Sequence, residues 1–289
     1  MKKYKAIFFD WDGTAVISRN APIDDIIPLM ANLLTNGIIL VVISGTTYEN
    51  IAHGQLHKYL PKEALQNLYL GLARGAYNYT FSIVGKPILK FEEKINLQKL
   101  LTMHSIAFEV HQLLLSTYQY PTDIVFSRPN YCKIDLLVEH DRMGELYLHP
   151  EEIQSLNQAL SEHGYKGGIQ ELIEEVIGIG RKHGIPLKVT TDAKYLEIGL
   201  TTKADNVDYF LKEIILKKSI PINDCCFWGD EFALLGAGVY GSDALMITEI
   251  SKTGDFFDVS SQSKQLPEQV VSLGGGVPRF LSFLKDQLI

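Results

Sequence analysis

The sequence constrains the fold most strongly near its amino terminus, where an uninterrupted apolar run ends at two acidic residues. Residues 6–9 are Ala-Ile-Phe-Phe, and Asp10 and Asp12 follow with one tryptophan between them. An apolar run without polar alternation is typical of a strand that is buried on both faces, as in a parallel sheet. Open parallel sheets place their chemistry at the carboxyl ends of the strands, and the two aspartates stand at such an end.

Two carboxylates at one strand end repel each other, so a compensating group is expected beside them. A hard cation such as Mg²⁺ would compensate them, because it prefers oxygen ligands. The same residues also fit a plain turn, since Asp12-Gly13 is a common dipeptide after a strand. The pair by itself therefore leaves both interpretations open.

Three further segments have the same form, in which an apolar run leads to a residue with a hydroxyl, an amine or a carboxylate. The runs at residues 38–43, 195–200 and 225–228 lead to Ser44, Lys203 and Asp230. Taken alone, the serine also fits a turn and the lysine a solvated surface charge. In chain order, however, the aspartate pair, hydroxyl, lysine and acid together resemble the haloacid dehalogenase (HAD) superfamily of aspartate-nucleophile phosphotransferases. The resemblance covers residues 4–56 and 195–250, and it rests on the combination rather than on any one motif.

The resemblance implies a Mg²⁺-dependent phosphatase that forms an aspartyl-phosphate. Asp10 would be the nucleophile, and Asp12 would protonate the leaving alcohol and then take a proton from the hydrolytic water. Ser44 would hold a phosphoryl oxygen, and Lys203 would neutralise the phosphoryl group. Substrate binding is also expected from the two residues that continue the turn after Ser44, which are Gly45 and Thr46.

The implied Mg²⁺ ligands are acidic residues from the first and the last motif, namely Asp10, Asp12 through its backbone carbonyl, Asp230 and Asp243. The last motif departs from the common family pattern Gly-Asp-x-x-Asn-Asp, because Glu231 follows Asp230 directly and the next acid is Asp243. The segment Gly241-Ser242-Asp243 resembles the delayed Gly-Asn-Asp of phosphomannomutase-like members. Asp243 is therefore the preferred second acid, and Glu231 is the alternative.

The periodicity changes between residues 82 and 194, where helical patterns alternate with short strands. The predicted fold is α/β, with a Rossmann-like, doubly wound parallel core formed by residues 1–81 and 195–289. Residues 82–194 form an inserted α+β cap domain in this interpretation. Its position resembles the HAD subgroup with a large cap between the hydroxyl and lysine motifs, which includes Cof-like and sugar-phosphate phosphatases and phosphomannomutases (subfamily IIB). Within the core, we also predict a helix at residues 48–56, a strand at 244–247 and a short edge element at 255–259.

The cap is expected to select the substrate, because few residues near the metal site are available to contact the part of the substrate beyond the phosphoryl group. Arg128 and Lys133 lie near the turn of a predicted cap strand pair. A guanidinium there could grip a carboxylate, a hydroxyl pair or a second phosphate, and Arg128 is the preferred candidate. A solvated hairpin tip fits the same residues equally well.

Composition limits the classes of partner. A net charge of −7 disfavours nucleic acid and anionic membranes, and no apolar run is long enough for a transmembrane helix. The three cysteines lack metal or disulfide spacing, which is typical of a reducing cytoplasm. We therefore predict a cytoplasmic protein that acts on a small-molecule phosphate ester, without a nucleic-acid or membrane partner; the sequence predicts no oligomeric state.

The motif residues are compatible with three functions. The preferred function is hydrolysis of a sugar or polyol phosphate. A phosphomutase would use the same aspartyl-phosphate but retain it until a sugar phosphate accepts it, and the late Gly241-Ser242-Asp243 is compatible with this. A non-catalytic HAD-fold binding protein is disfavoured, because all the motif residues are present.

Overall fold

The computed structural model describes residues 2–139, 150–192, 194–236, 238–260 and 265–289. The strands in chain order are β1 (Ala6–Phe9), β2 (Ile39–Ile43), β3 (Leu68–Leu72), β4 (Tyr77–Phe81), β5 (Pro87–Glu92), β6 (Asp123–Val125), β7 (Tyr131–Asp135), β8 (Lys188–Thr191), β9 (Tyr195–Gly199), β10 (Cys225–Gly229), β11 (Leu234–Gly236), β12 (Val239–Tyr240), β13 (Asp255–Asp258) and β14 (Val270–Ser272). The α-helices are α1 (Ile27–Thr35), α2 (Leu97–Tyr118), α3 (Pro150–Glu162), α4 (Gly168–Lys182), α5 (Lys203–Phe210) and α6 (Gly276–Leu288). Within the described ranges, none of these helices combines the length and the apolar composition needed to cross a membrane.

The chain forms two compact units. The first contains residues up to Glu93, Lys203–Ala233 and the residues from Asp243 onward. The second contains Lys94–Thr202 and Leu234–Ser242.

The first unit is built on an eight-stranded sheet with the order β14-β13-β10-β1-β2-β3-β4-β5. The strands from β14 to β3 are parallel, and β4 and β5 are antiparallel. Alternate residues of a strand face opposite sides of the sheet. Ile7 and Phe9 accordingly pack with α1 and α6, whereas Ala6 and Phe8 pack with α5 on the other side. The predicted α/β class, with helices on both faces of a largely parallel sheet, is confirmed.

The second unit contains an antiparallel sheet with the order β6-β7-β9-β8. Alternate residues of these strands, including Ile134, Leu196 and Ile198, form an apolar core with residues of α2, α3 and α4. Helices therefore cover one face of this sheet through its apolar side chains, as an α+β architecture requires.

The two units divide the chain at different points from the predicted core and insert. β4 and β5 extend the first sheet as an antiparallel hairpin, so the first unit reaches Glu93 rather than residue 81. β9 pairs with β7 and β8, so the chain returns to the first unit at Lys203 rather than at residue 195. Leu234–Ser242 also belongs to the second unit, where Val239 packs against the apolar core.

The helix predicted over residues 48–56 is wrong. The chain between Tyr48 and Lys58 forms short 3₁₀ turns instead. Ala52 and His53 have φ angles of 47° and 55°. A right-handed helix cannot continue through two left-handed residues, which the apolar spacing of the segment did not reveal.

Two predictions near the carboxyl terminus are also wrong. Residues 244–247 do not form a strand, because Ser242–Met246 is a 3₁₀ turn that buries Met246 against the α5 side of the sheet. The segment 255–259 is not an edge element, because β13 pairs with β10 on one side and β14 on the other. A short apolar run does not by itself distinguish strand from turn.

Candidate active site

The candidate nucleophile, hydroxyl and acid lie at neighbouring strand ends. β1 runs parallel to β10 and β2, with Phe9 opposite both Trp228 and Val42. Asp10 follows β1, and its backbone N–H donates to the carbonyl of Trp228 at 2.9 Å. Asp230 follows β10, and Ser44 follows β2. The parallel register therefore brings these three residues, which are distant in sequence, to one edge of the sheet.

Lys203 connects two of the acidic residues. Its Nζ lies 2.8 Å from Asp10 Oδ1 and 2.7 Å from Asp243 Oδ1. All three side chains are buried. Lys203 is the first residue of α5, which packs through Val207 and Phe210 beneath the sheet. The packing of α5 thus carries the ammonium group to the carboxyl ends of the strands.

Asp243 organises the loop that follows β10. Its Oδ2 accepts the backbone N–H groups of Asp230 at 3.0 Å and Glu231 at 2.9 Å. The Asp243 N–H in turn donates to the Glu231 carbonyl at 3.1 Å. One carboxylate therefore joins this loop to Lys203, which explains how an acid that comes late in the sequence reaches the site.

Three carboxylates form an acidic triplet, defined as Asp10, Asp230 and Asp243. One oxygen from each lies within 4.8 Å of the other two, and this is the group of potential metal ligands found among the described residues. The alternative second acid, Glu231, is not a member of it. With one lysine between them, the three acids leave two uncompensated negative charges, which matches the charge of one divalent cation. The donor set is all oxygen, as Mg²⁺ prefers, so the residues fit this ion.

The charge imbalance changes the acidity of the site. Burial raises the pKa of Asp10 well above its usual value, and the nearby Asp243 carboxylate adds to this against the opposing effect of Lys203. Burial and the Asp243 carboxylate likewise raise the pKa of Asp230. Burial would lower the pKa of Lys203, but the carboxylates of Asp10 and Asp243 outweigh it and raise this pKa. Lys203 is therefore charged, and the raised pKa values of Asp10 and Asp230 favour protonation of these acids when no cation compensates them.

Asp12 lies outside the acidic triplet, on the turn after β1. Its Oδ2 is 3.8 Å from Arg19 Nη2, whereas its buried Oδ1 has no hydrogen-bond partner among the described residues. Burial raises the pKa of the carboxyl group despite the opposing charges of Arg19 and Lys203. The proton-transfer role of the side chain and the metal contact through its backbone carbonyl both stay predictions.

Two glycines make this arrangement possible. A Cβ on Gly13, which has a φ of 85°, would lie 2.2 Å from Asp230 Oδ2. A Cβ on Gly229 would lie 2.3 Å from Asp243 Oδ2. Both carboxylates therefore occupy space that any other residue would fill.

Sequence analysis did not single out Thr14 or Arg19. Thr14 Oγ1 donates to Asp230 Oδ1 at 3.0 Å and so orients that carboxylate. Thr14 lies in the same short turn as Asp12, and this proximity in the sequence could have identified it as a site residue. Arg19 carried no such signal, since a lone arginine is usually a surface charge.

Ser44, Gly45 and Thr46 form a compact turn after β2. The Thr46 N–H donates to Ser44 Oγ at 3.3 Å, and Thr46 Oγ1 accepts from Asn50 Nδ2 at 2.8 Å. The Ser44 N–H donates to the Gly71 carbonyl of β3 at 2.9 Å. The turn is therefore held on both sides, but its predicted contact with a phosphoryl group stays a prediction.

Arg128 and Lys133 belong to the second unit. Lys133 Nζ forms a 2.8 Å ion pair with Glu197 Oε1 and lies 4.6 Å from the centre of the Tyr195 ring. The buried Nε of Arg128 has no hydrogen-bond partner in the described part of the chain. The acidic triplet and Lys203 are assembled entirely from the first unit, so the predicted role of both cap residues in substrate binding stays a prediction.

No protein-family model matches the chain, and no curated protein matches it. Among solved structures, IMP-bound IMP-nucleotidase from Plasmodium falciparum has a TM-score of 0.62 at 12% identity, over 99% of this chain and 68% of that chain. The ATP-bound form of the same enzyme has a TM-score of 0.63 at 13% identity, and the match covers 99% of this chain and 60% of that chain.

Sucrose-phosphatase from Synechocystis, in complex with sucrose and phosphate, has a TM-score of 0.55 at 12% identity. This match covers 99% of our chain and 98% of the sucrose-phosphatase. Likeness at such low identity concerns the fold alone. The chain therefore shares the overall fold of these phosphatases.

Proposed function

We propose that the chain is a Mg²⁺-dependent phosphatase of the HAD superfamily that hydrolyses a small phosphate ester, with Asp10 as the nucleophile. The observation that carries this proposal is the buried network in which Lys203 contacts both Asp10 and Asp243 beside Asp230. Burying two carboxylates around one lysine, with a third carboxylate beside them, is costly to stability, and such arrangements are concentrated at functional sites.

The residues supply each part of a two-step reaction. An oxygen of Asp10 bonds to phosphorus as the bond to the leaving alcohol breaks, and Asp12 donates a proton to that alcohol. Asp12 then accepts a proton from a water molecule that attacks phosphorus, and phosphate leaves as Asp10 regains its carboxylate. Lys203 restricts the Asp10 carboxylate and offsets phosphoryl charge, and Ser44 holds a phosphoryl oxygen. The triplet and the Asp12 carbonyl would hold Mg²⁺, which would supply the two missing positive charges and polarise the phosphoryl group.

The substrate class is proposed to be a sugar or polyol phosphate, and the second unit is proposed to act as the cap of the large-cap subgroup. The sucrose-phosphatase, whose length the chain matches almost completely, supports the sugar assignment. The nucleotidase structures support a small organic phosphate more generally. Arg128 and Lys133 would provide polar contacts to the non-phosphoryl part of the substrate.

Phosphate release from a panel of sugar, polyol and nucleoside phosphates is expected to require Mg²⁺ and to stop when EDTA is added. Ca²⁺ should not replace Mg²⁺, because its larger and looser coordination shell permits bidentate carboxylates and would misplace Asp10. Colorimetric measurement of inorganic phosphate tests this. Full activity in EDTA would exclude the metal, and no release from any ester in Mg²⁺ would exclude the phosphatase.

In Mg²⁺-free buffer, Asp10 and Asp230 are expected to increase the free energy of unfolding as the pH falls towards their ordinary pKa of 3.8. The pKa values of Asp10 and Asp230 are raised in the folded state above the ordinary 3.8. The folded protein therefore binds more protons than the unfolded chain across the interval between these values, and proton uptake favours folding there. Urea denaturation at a series of pH values measures the effect.

The matched control for this titration is Asp230→Asn, which removes one of the two acids and should flatten the dependence. Saturating Mg²⁺ should flatten it in the wild type, because the cation compensates the same charges. Identical pH profiles for wild type and Asp230→Asn in EDTA would show that the surplus charge is not located in the triplet.

A phosphomutase is the second candidate, and the position of Asp243 favours it specifically. This acid belongs to the late Gly241-Ser242-Asp243 segment that resembles phosphomannomutase-like members, and its carboxylate is part of the triplet. Transfer of a labelled phosphoryl group to a sugar phosphate, faster than its release to water, would identify a mutase.

A further inference from the structure

The sheet edge that carries the acidic triplet also carries a strained turn, formed by Ala73, Arg74 and Gly75 directly after β3. Their φ angles are 51°, 53° and 94°. Left-handed backbone is readily adopted by glycine but is sterically unfavourable for residues with a Cβ, and here two such residues adopt it in succession. Strain of this kind persists only where surrounding contacts enforce it, and it is concentrated at functional sites.

The turn is enforced by the same elements that build the candidate active site. The Ala73 N–H donates to the Thr46 carbonyl at 2.8 Å, which ties the turn to the end of β2. The Gly75 N–H donates to Asn206 Oδ1 at 2.7 Å. Asn206 is fully buried on α5, one helical turn after Lys203. The position of Arg74 is therefore coupled to the hydroxyl turn and to the helix of the candidate lysine.

The Arg74 side chain runs over the end of β2. A Cβ placed on Gly45 would lie 3.5 Å from Arg74 Cγ and 3.6 Å from Arg74 Nε, so the stem of the side chain passes across the turn that begins at Ser44. β2 is the direct neighbour of β1, and adjacent strands are about 4.8 Å apart. Arg74 is half-buried, and its side chain thus crosses the end of the strand that neighbours the one presenting Asp10.

We propose that Arg74 binds a second anionic group of the substrate, a carboxylate or a second phosphate, next to the phosphoryl group that Asp10 receives. This inference rests on the proposed phosphatase function. The transferred phosphoryl group already has Lys203 and Ser44, and the Arg74 side chain crosses the neighbouring strand end, where it would meet a second group of the substrate. An arginine keeps its charge, and its planar fork matches a carboxylate or a phosphate with two hydrogen bonds.

The experiment compares substrates that differ only in the second anion. One pair is 6-phosphogluconate and glucitol 6-phosphate, in which a carboxylate replaces a hydroxymethyl group. The other is fructose 1,6-bisphosphate and fructose 6-phosphate, so the two pairs separate a carboxylate from a phosphate as the second group. The wild type should favour an anionic member. Arg74→Gly should lower kcat/KM for that anionic substrate by about ten- to a hundredfold, which is the effect of losing one charge-assisted contact. It should change kcat/KM for the neutral substrate of the same pair less than about threefold.

Three further variants separate charge from strain. Arg74→Lys keeps the positive charge but loses the planar guanidinium group, so it should retain part of the preference for the anionic substrate. Ala73→Gly relieves the same strained turn without removing charge, and it should leave the preference unchanged. Lys217→Ala removes an exposed positive charge from the turn at residues 216–219 and should also leave the preference unchanged. Neither glycine variant should lower the unfolding temperature, because glycine adopts these φ angles readily.

Binding to Asp10→Asn protein, measured by calorimetry, separates this inference from the proposed function, because it requires no turnover. In that background Arg74→Gly should weaken binding of the anionic member selectively, whether or not the wild type hydrolyses the panel. Equal losses of affinity for both members of a pair would mean that Arg74 contacts the transferred phosphoryl group or supports the fold, and this would overturn the proposal. An unchanged preference, or tighter wild-type binding of both neutral members, would also overturn it.

Discussion

Substitution of Asp10 by asparagine is expected to lower kcat by at least about three orders of magnitude while the protein remains folded. An amide does not attack phosphorus, whereas its size is nearly that of the carboxyl group, so packing at the end of β1 should be preserved. Lys203 keeps its second partner, Asp243, and the buried site loses one of its surplus negative charges. Steady-state hydrolysis of p-nitrophenyl phosphate and thermal unfolding by circular dichroism measure the two expectations.

The matched comparison is Asp12→Asn, which removes a proton donor two residues away. Asp12→Asn should strongly slow the hydrolysis of alkyl phosphates. It should still allow p-nitrophenyl phosphate to phosphorylate Asp10, because the leaving group of this ester needs little protonation. Mass spectrometry of acid-quenched Asp12→Asn protein should then detect a phosphorylated Asp10 peptide. An Asp10→Asn enzyme that keeps about a tenth of the wild-type rate would exclude Asp10 as the nucleophile.

Replacement of Lys203 by methionine is expected to affect stability as well as activity. The variant keeps the length of the side chain but leaves two buried carboxylates, Asp10 and Asp243, without their shared ammonium group. Removing one partner of a buried ion pair costs roughly 3–5 kcal/mol, and loss of one stabilising contact to a transition state costs roughly two to three orders of magnitude in kcat. Urea denaturation in EDTA and steady-state kinetics in Mg²⁺ measure the two losses.

The exposed Lys217 provides the matched control, since its ion pair with Glu213 lies on the surface. Lys217→Met should change stability by less than about 1 kcal/mol. Mg²⁺ should raise the unfolding temperature of Lys203→Met more than that of the wild type, because more negative charge is uncompensated. If Lys203→Met is as stable as Lys217→Met in EDTA, the buried charge network does not exist in solution.

The strands of the first sheet were predictable because their physical signal is local. β1, β2 and β10 are buried along their whole length, and continuous apolar runs report such burial directly. β5 was missed for the opposite reason, since all its residues are exposed at the end of the sheet and polar residues interrupt its apolar ones. The helix over residues 48–56 failed because two left-handed residues broke a spacing that otherwise suited a helix.

The sequence by itself determined which chemical groups are available for the candidate site and in which order they occur along the chain. Asp10, Asp12, Ser44, Lys203 and Asp230 each follow or begin a recognisable element, so their placement at strand ends or a helix start could be inferred. Apolar runs specify which segments become buried strands, because burial of continuous apolar surface drives their formation.

Only the tertiary structure decided how these residues combine. The order of the strands places β10 and β2 on either side of β1, and the packing of α5 brings Lys203 to Asp10, which is 193 positions away in the sequence. Asp243 joins the triplet through backbone N–H groups of a loop, and Thr14, Arg19 and Arg74 reach the same sheet edge by turn geometry. Such contacts depend on strand order and on individual φ angles, which arise from the packing of the whole sheet rather than from any local pattern.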